Sequence, residues 1–322
     1  MPLIEAYTIT TKPFGKFEQL CVNHQSGSGF TIIPGFGAVL NELVLVKDQT
    51  AFSVIDGHTT DAMLLENQWF RSAKLTPFPN RVNSGRYTFM GKLYQLPVNF
   101  APQHHAIHGL VFNLPFTCTG SSISEHQASV SLQLHYTGNI QGYPFPFLLQ
   151  LVYVLQEQNR FTCTTTFTNT GAAPLPFADG WHPYFTLGSQ TVNQLFLRLP
   201  ACRELQTNPL QIPTGQLLPY SKFEQLTPIG NTELDTGFAI LPQPENTATT
   251  TLFNATENLT LNIWQQVKPN SYNYLQIFTP PHRQSIAIEP MTAAPDCFNN
   301  GMGLQMLQPG AIFTASYGVV LQ

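Results

Sequence analysis

Five short clusters in this chain carry side chains able to move protons or grip hydroxyl groups. In SIAIEPMTAAPDCFNNG, residues 285–301, Ser285, Ala287 and Glu289 alternate with Ile286, Ile288 and Pro290. An extended segment therefore carries Glu289 out on its small-residue face, and Pro290 ends the strand. A carboxylate at the mouth of a strand suits a proton acceptor on a rigid support; a surface Glu beside a turn fits the same letters. In GWHPYFTLG, residues 180–188, His182 sits between Trp181 and the stiff Pro183, with Tyr184 and Phe185 following. Aromatic faces stack on the apolar side of a sugar ring, and imidazole gives or takes a proton near neutral pH, so His182 reads as an acid or base, or as a core histidine satisfied by a neighbour.

QHHAIHGL, residues 103–110, holds three histidines. His104 and His108 are four apart, a metal-binding spacing on a helix, but Pro102 and Gly109 bound the segment and no carboxylate or thiol ligand is near in sequence. His108 beside Gly109 can instead bring its imidazole close to a ligand, while His104 and His105 read as loop residues. In PFPNRVNSGRY, residues 77–87, Arg81 stands in a Pro-flanked turn where its planar donors hold hydroxyls or a carboxylate, or tie down the loop. In ELDTGF, residues 233–238, Asp235 precedes a Thr-Gly turn.

The elements that must position these residues are strands. GFTIIPGFGAVLNELVL, residues 29–45, contains two β-rich runs broken by Pro34, Gly35 and Gly37. ASVSLQLHY, residues 128–136, alternates with Ala128, Val130, Leu132, Leu134 and Tyr136 inward, and RFTCTTTFTNTG, residues 160–171, with Phe161, Cys163, Thr165 and Phe167 on one face. FPFLLQLVYVLQ, residues 145–156, is apolar on both faces, which predicts a strand sandwiched between layers. Further strands are predicted over 192–199, 250–254, 259–264, 273–279, 284–289 and 311–321. The one helical pattern is Asp61 to Trp69. The class is all-β, and 322 residues with no linker predict a single domain over 1–322 built from large sheets packed face to face.

Composition narrows the partners. Charged residues make up only 10% of the chain, against roughly a quarter in ordinary proteins. The formal charge is -4, with 14 Lys and Arg and no basic run, which argues against nucleic acid and anionic membrane and favours a neutral, hydroxyl-rich ligand. Five scattered cysteines without a CxxC pair argue against a disulfide framework or a structural zinc. The start MPLIEAYTITTKPFGKFEQL shows no secretory pattern, and no apolar run approaches the ~20 residues of a membrane span, so a cytoplasmic protein is expected.

Taken in order, NRV from Asn80, HG at His108, GYPFPF at 142–147, NTG and GWHPYF from Asn169, LDTGF from Leu234, YLQIFTP at 274–280 and IEPMTAAPDCFN from Ile288 resemble the aldose 1-epimerase (galactose mutarotase-like) family. The resemblance runs from about residue 29 to the end of the chain, and the HPYF and EPMTAAPDCFN blocks at this spacing carry most of its specificity. It implies a large antiparallel β-sandwich, a supersandwich, with an open cleft for a free sugar. Residue by residue, it implies Glu289 as general base, His182 as general acid and His108 as the second active-site histidine. Arg81, Asn80 and Asp235 would be sugar contacts, with Tyr184 and Gln276 lining the cleft.

Interconverting α and β anomers requires a base on the anomeric hydroxyl and an acid at the ring oxygen, and no metal or organic cofactor. Glu289 ionised and His182 protonated would meet that need, with His108 adding charge stabilisation. PFPNRV departs from the small-residue and aromatic run often found before NR in galactose enzymes. A related branch acts on hexose 6-phosphates, for which Arg71, Arg81, Arg86 and Arg283 are the arginines near the matched motifs. A non-catalytic sugar-binding protein of the same fold is a further alternative. A glycoside hydrolase would need Asp235 or Asp179 as a second carboxylate.

Overall fold

Alternating apolar residues and frequent tight turns fold the chain into antiparallel strands, here described in a computed structural model over residues 6–322. The first five residues, part of the stretch expected to carry no leader, lie outside that description. The turns are short. Lys47 pairs with Thr50 across Asp48 and Gln49, both left-handed (φ 49° and 65°), which fits the strands' own twist.

Three sheets carry the architecture. A five-stranded sheet spans Tyr7–Phe14 through Thr50–Ser53 in sequence order. A nine-stranded sheet runs from Thr117–Ile123 through Gln127–Tyr136, Phe147–Gln156, Arg160–Asn169, Ile312–Leu321, Leu259–Gln266, Thr247–Asn254 and Phe196–Arg198 to Thr227–Pro228. An eight-stranded sheet includes, in neighbouring order, Cys202–Thr207, Asp235–Ile240, Tyr274–Phe278, Ile286–Met291 and Gly180–Trp181, with Tyr184–Phe185 also paired to Ile286–Met291. The inner face of the nine-stranded sheet presents Val130, Leu132, Leu151, Tyr153, Phe161, Cys163 and Tyr317 to Trp181, Ile277 and Ile288 in one continuous core.

Beneath the eight-stranded sheet that core is joined by polar bonds. Trp181 Nε1 donates to Thr165 Oγ1 at 3.1 Å, and the Tyr272 hydroxyl donates to Asp179 Oδ2 at 2.9 Å. Lys74 Nζ donates to the same oxygen at 2.5 Å with both side chains sealed from solvent, and lies 4.4 Å from the centre of a Trp181 ring. These bonds satisfy a buried charge and fix the strand that leads to His182.

Several expected elements differ. Phe147–Gln156 alternates between buried and half-buried residues, so Leu148, Val152 and Val154 form an outer face rather than a second buried one. The helix ends at Glu66, where Asn67 turns left-handed, and Gln68–Phe70 continues as a 3-10 turn. Of 192–199, only Phe196–Arg198 is a strand, preceded by a 3-10 turn with a Thr191–Gln194 capping box. The strand Ile286–Met291 runs through Pro290, which sits beside the break between its two short neighbours, Gly180–Trp181 and Tyr184–Phe185. Asp235 opens a strand, Asp235–Ile240, instead of a turn.

Candidate active site

The site grows out of strand register. Gln276 pairs with Glu289 and with Gly237, and two residues along, Phe278 pairs with Ala287 and with Asp235. Gly180 pairs with Met291 and Tyr184 with Ala287, which leaves His182 opposite Glu289. Since paired residues share a face, His182, Glu289, Gln276 and Gly237 form one rung, and Tyr184, Ala287, Phe278 and Asp235 the next. The residues between them, Trp181, Ile288 and Ile277, face the core. Gly237 leaves room for its neighbour: a Cβ there would stand 3.1 Å from Gln276 Oε1.

Loops supply the other walls of a cavity of about 220 Å³, lined by Trp69, Phe70, Asn80, Arg81, Phe100, Ile107, His108, His182, Tyr184, Gln211, Asp235, Gln276, Phe278 and Glu289. All eight residues expected at a site thus border one space. Glu289, which the local pattern alone allowed to be a surface residue, is 1% exposed at its floor, while the Asp235 side chain is 36% exposed at the rim.

His182 Nε2 lies 3.4 Å from Glu289 Oε1. The imidazole is stacked on Tyr184 (5.0 Å, 12°) and meets His108 edge-on at 4.9 Å, while His108 packs on Phe70 at 4.7 Å. Glu289 Oε2, His182 Nδ1 and His108 Nδ1 are buried with no hydrogen-bond partner among the described residues. Burial pushes the Glu289 carboxyl well above the ordinary range, with Asp235 adding to the rise and Arg81 opposing it. Burial likewise takes His182 down to about 3 and His108 well below its usual value. The free site therefore favours a protonated Glu289 beside a neutral His182, the reverse of the charge assignment expected from the sequence. Both arrangements hold one proton on the pair, and shifting it across the contact converts one into the other.

The sugar-contact candidates form a chain of bonds. Arg81 Nε donates to Gln103 Oε1 at 3.1 Å and its NH1 to Asn80 Oδ1 at 2.7 Å, while NH2 donates to Gln211 Oε1 and lies 3.9 Å from Asp235 Oδ2. Gln276 Nε2 donates to Asp235 Oδ1 at 2.7 Å, and Gln211 Nε2 donates to Asp235 Oδ2. Asn80 is left-handed (φ 54°) and its carbonyl accepts from His108 N at 2.8 Å, so the NR turn also places the histidine. His108 is left-handed too (φ 63°), and Gly109 is required by the Thr76 backbone, whose carbonyl oxygen would lie 2.3 Å from an added Cβ.

Other expectations shift. The PDCFN segment braces the NR turn, with Asp296 N donating to Arg81 O at 2.6 Å and Asp296 Oδ1 accepting from Asn83 N at 2.8 Å. His104 is exposed and His108 lines the cleft, so their spacing makes no shared site. His105 is fully buried rather than a plain loop residue: its Nδ1 accepts from Ser84 N and its Nε2 bonds Leu210 O, both at 3.2 Å, which ties down the turn that carries Gln211. Gln211, Gln103, Trp69, Phe70 and Phe278 were not anticipated from sequence. Asp179 is committed to Lys74, Thr76 and Tyr272 and is closed to any ligand. No group of three or more His, Cys, Asp or Glu among the described residues could hold a metal ion, and the five cysteines are free thiols.

The packed antiparallel sheets belong to a known architecture, the galactose mutarotase-like fold. The chain superposes with a TM-score of 0.87 on a galactose mutarotase-like protein from Clostridium acetobutylicum, at 18% identity over 98% of this chain and 99% of that one. It matches a GalM/aldose epimerase homologue from C. elegans with a TM-score of 0.80, also at 18% identity over 98% and 99% of the two chains. The profile of the aldose 1-epimerase family matches residues 19–319, and the chain belongs to that family. Among curated proteins, the uncharacterized Escherichia coli protein YihR is 29% identical over 73% of this chain and 74% of its own length. No helix among the described residues is long and apolar enough to cross a membrane.

Proposed function

We propose that the protein is an aldose 1-epimerase acting on a free hexose, with Glu289 as base, His182 as acid and His108 as a third polar contact on the ring. The observation that carries this reading is the pair itself: a carboxyl and an imidazole 3.4 Å apart at the floor of a cleft, each with a buried polar atom that has no partner among the described residues. Pure binding of a sugar does not call for a base opposite an acid; ring opening does.

In the proposed reaction the anomeric hydroxyl donates to Glu289 while His182 protonates the ring oxygen. The bond from C1 to O5 breaks and leaves an open-chain aldehyde. After rotation about C1 to C2, the aldehyde face reverses, O5 attacks C1 again, and both protons return. The charged arrangement of the pair is the reactive one, and a sugar favours it by donating to the carboxylate and accepting from the imidazolium. Arg81, which lowers the Glu289 pKa, acts in the same direction. Phe70, Phe100 and Phe278 supply apolar wall for the ring, and Arg81, Asp235, Gln276 and Asn80 supply hydroxyl contacts.

The placement of four arginines favours a neutral sugar over a hexose 6-phosphate. Arg71 is turned to Asp56 at 3.4 Å and Arg283 donates to Asn193, Thr232 and Gly230. Arg86 is exposed and bonded to Gln95, outside the cleft lining. Arg81 is the one arginine in the lining, and it shares the space with Asp235 and Glu289. A two-carboxylate hydrolase is disfavoured because Asp179 is sealed and both oxygens of Asp235 already accept from Gln276 and Gln211. Free thiols suit a reducing compartment, and we place the protein in the cytoplasm. Polarimetry on freshly dissolved α-hexoses and their 6-phosphates tests this: acceleration confined to free sugars is expected, and a preference for the phosphates overturns the assignment.

A further inference from the structure

The two charged residues offered to a sugar are already occupied in the free cleft. Asp235 accepts through Oδ1 from Gln276 Nε2 at 2.7 Å and through Oδ2 from Gln211 Nε2. Arg81 donates through Nε to Gln103 at 3.1 Å, through NH1 to Asn80 at 2.7 Å and through NH2 to Gln211 Oε1, which also accepts from Gln103 Nε2 at 3.2 Å. One side-chain amide thus bonds both partners of an ion pair whose NH2 and Oδ2 stand 3.9 Å apart.

A fixed support delivers that amide. Gln211 stands at the tip of the hairpin joining Cys202–Thr207 to Pro213–Pro219, and the first of these strands pairs with Asp235–Ile240. Asn208 closes the tip on itself: its Oδ1 accepts from Leu210 N at 2.9 Å and Ile212 N at 3.1 Å, and its carbonyl accepts from Gln211 N at 2.8 Å. From the opposite wall His105 Nε2 bonds Leu210 O at 3.2 Å. The backbone is tied on both sides, which leaves the half-buried Gln211 side chain as the part that can turn away.

The polarity of these bonds matches a hydroxyl, which can accept from Arg81 and donate to Asp235 as the amide does. A cleft built to bond a hydroxyl ordinarily rejects an analogue lacking it, because its polar groups are left unpaired. Here an amide that stays in place keeps them paired. Glu289 lies at the floor and Asp235 at the rim, so a sugar with its anomeric hydroxyl at Glu289 meets Arg81 and Asp235 with another of its hydroxyls. We infer that Gln211 is a specificity-determining residue. Its amide stands in for one non-anomeric hydroxyl, gives way to a sugar that carries this hydroxyl and stays for one that lacks it, so the cleft tolerates hexoses that differ at that position. The inference rests on the epimerase reading for the placement of the ring, but its prediction concerns binding alone.

Isothermal titration of the full chain with glucose, galactose and the 2-, 3-, 4- and 6-deoxyglucoses tests it, in the wild type, Gln211→Ala and Gln211→Leu. Both variants are expected to bind glucose or galactose about ten-fold more tightly, because no amide bonds have to be broken first. The penalty for omitting one hydroxyl is expected to be about ten-fold larger in both variants than in the wild type. Weaker hexose binding in both variants makes Gln211 a direct contact and overturns the inference. So does tightening in Gln211→Ala alone, which reports added room, and so do penalties that neither substitution changes. Mutarotation rates measured in parallel separate the two readings: tighter binding by the variants without turnover by any form supports the role of Gln211 and overturns the epimerase assignment, whereas turnover with unchanged or weaker binding does the opposite.

Discussion

Glu289 and His182 hold an expensive arrangement for which stability offers no reason. A carboxyl 1% exposed on a sheet face is destabilising when ionised, and burial answers by raising its pKa and lowering that of the imidazole it faces. The pair then titrates as a unit that keeps one proton from about pH 3, where His182 takes a second, up to the raised value of Glu289. An unperturbed pair would confine activity to the interval between roughly 4.5 and 6.5. The expected profile of kcat/KM accordingly shows no acid limb near 4.5 and falls as pH rises through the raised Glu289 value. An acid limb centred near 4.5 would show a carboxyl that titrates independently of its neighbour.

At the scale of elements, two rungs of one sheet provide six of the fourteen lining residues, and the NR turn with the surrounding segments provides the rest. Asp296 links them, since it holds both Arg81 O and Asn83 N from a left-handed position (φ 60°) ahead of the short helix Cys297–Asn300. Asp296→Ala is expected to raise KM about ten-fold, with kcat changing less, because it loosens the sugar contacts while Glu289 and His182 stay on their strands. Equal loss in kcat and none in KM would contradict that division. Alternation was enough to place Glu289 opposite in phase to Ile288, and the family resemblance supplied its partner. The register that sets His182 across from Glu289 depends on pairing between strands about a hundred positions apart, which no local pattern contains. Gln211 was illegible for a related reason: its turn is held by His105, and neither residue has meaning without the other. Pro290 misled because a proline normally ends a ladder, and here the ladder is already broken beside it.

For the whole molecule, the buried histidines predict acid lability. His58 and His182 are each 5% exposed, with pKa values lowered to about 4 and about 3. A group depressed in the fold contributes stability above its unfolded value near 6.5 and loses it as pH falls toward the folded value. Each should therefore take away up to about 2 kcal/mol between pH 6.5 and 5, at roughly 1.4 kcal/mol per pH unit. Denaturant midpoints of Glu289→Gln at pH 7.5 and 5, where the opposing contribution of the Glu289 carboxyl is absent, measure this, and a midpoint unchanged by acid would refute it. Glu289 acts in the other direction: its raised pKa means stability is present at low pH and lost as pH rises through the folded value. Glu289→Gln removes that loss, so the variant should melt no lower than the wild type at pH 8 while losing its chemistry. The most direct measurement is polarimetry or NMR on freshly dissolved α-glucose and α-galactose with both proteins. Acceleration by the wild type, reduced at least ~10²-fold in a folded, sugar-binding Glu289→Gln, is the predicted result; acceleration that persists in the variant, or sugar binding by the wild type with none, would contradict it.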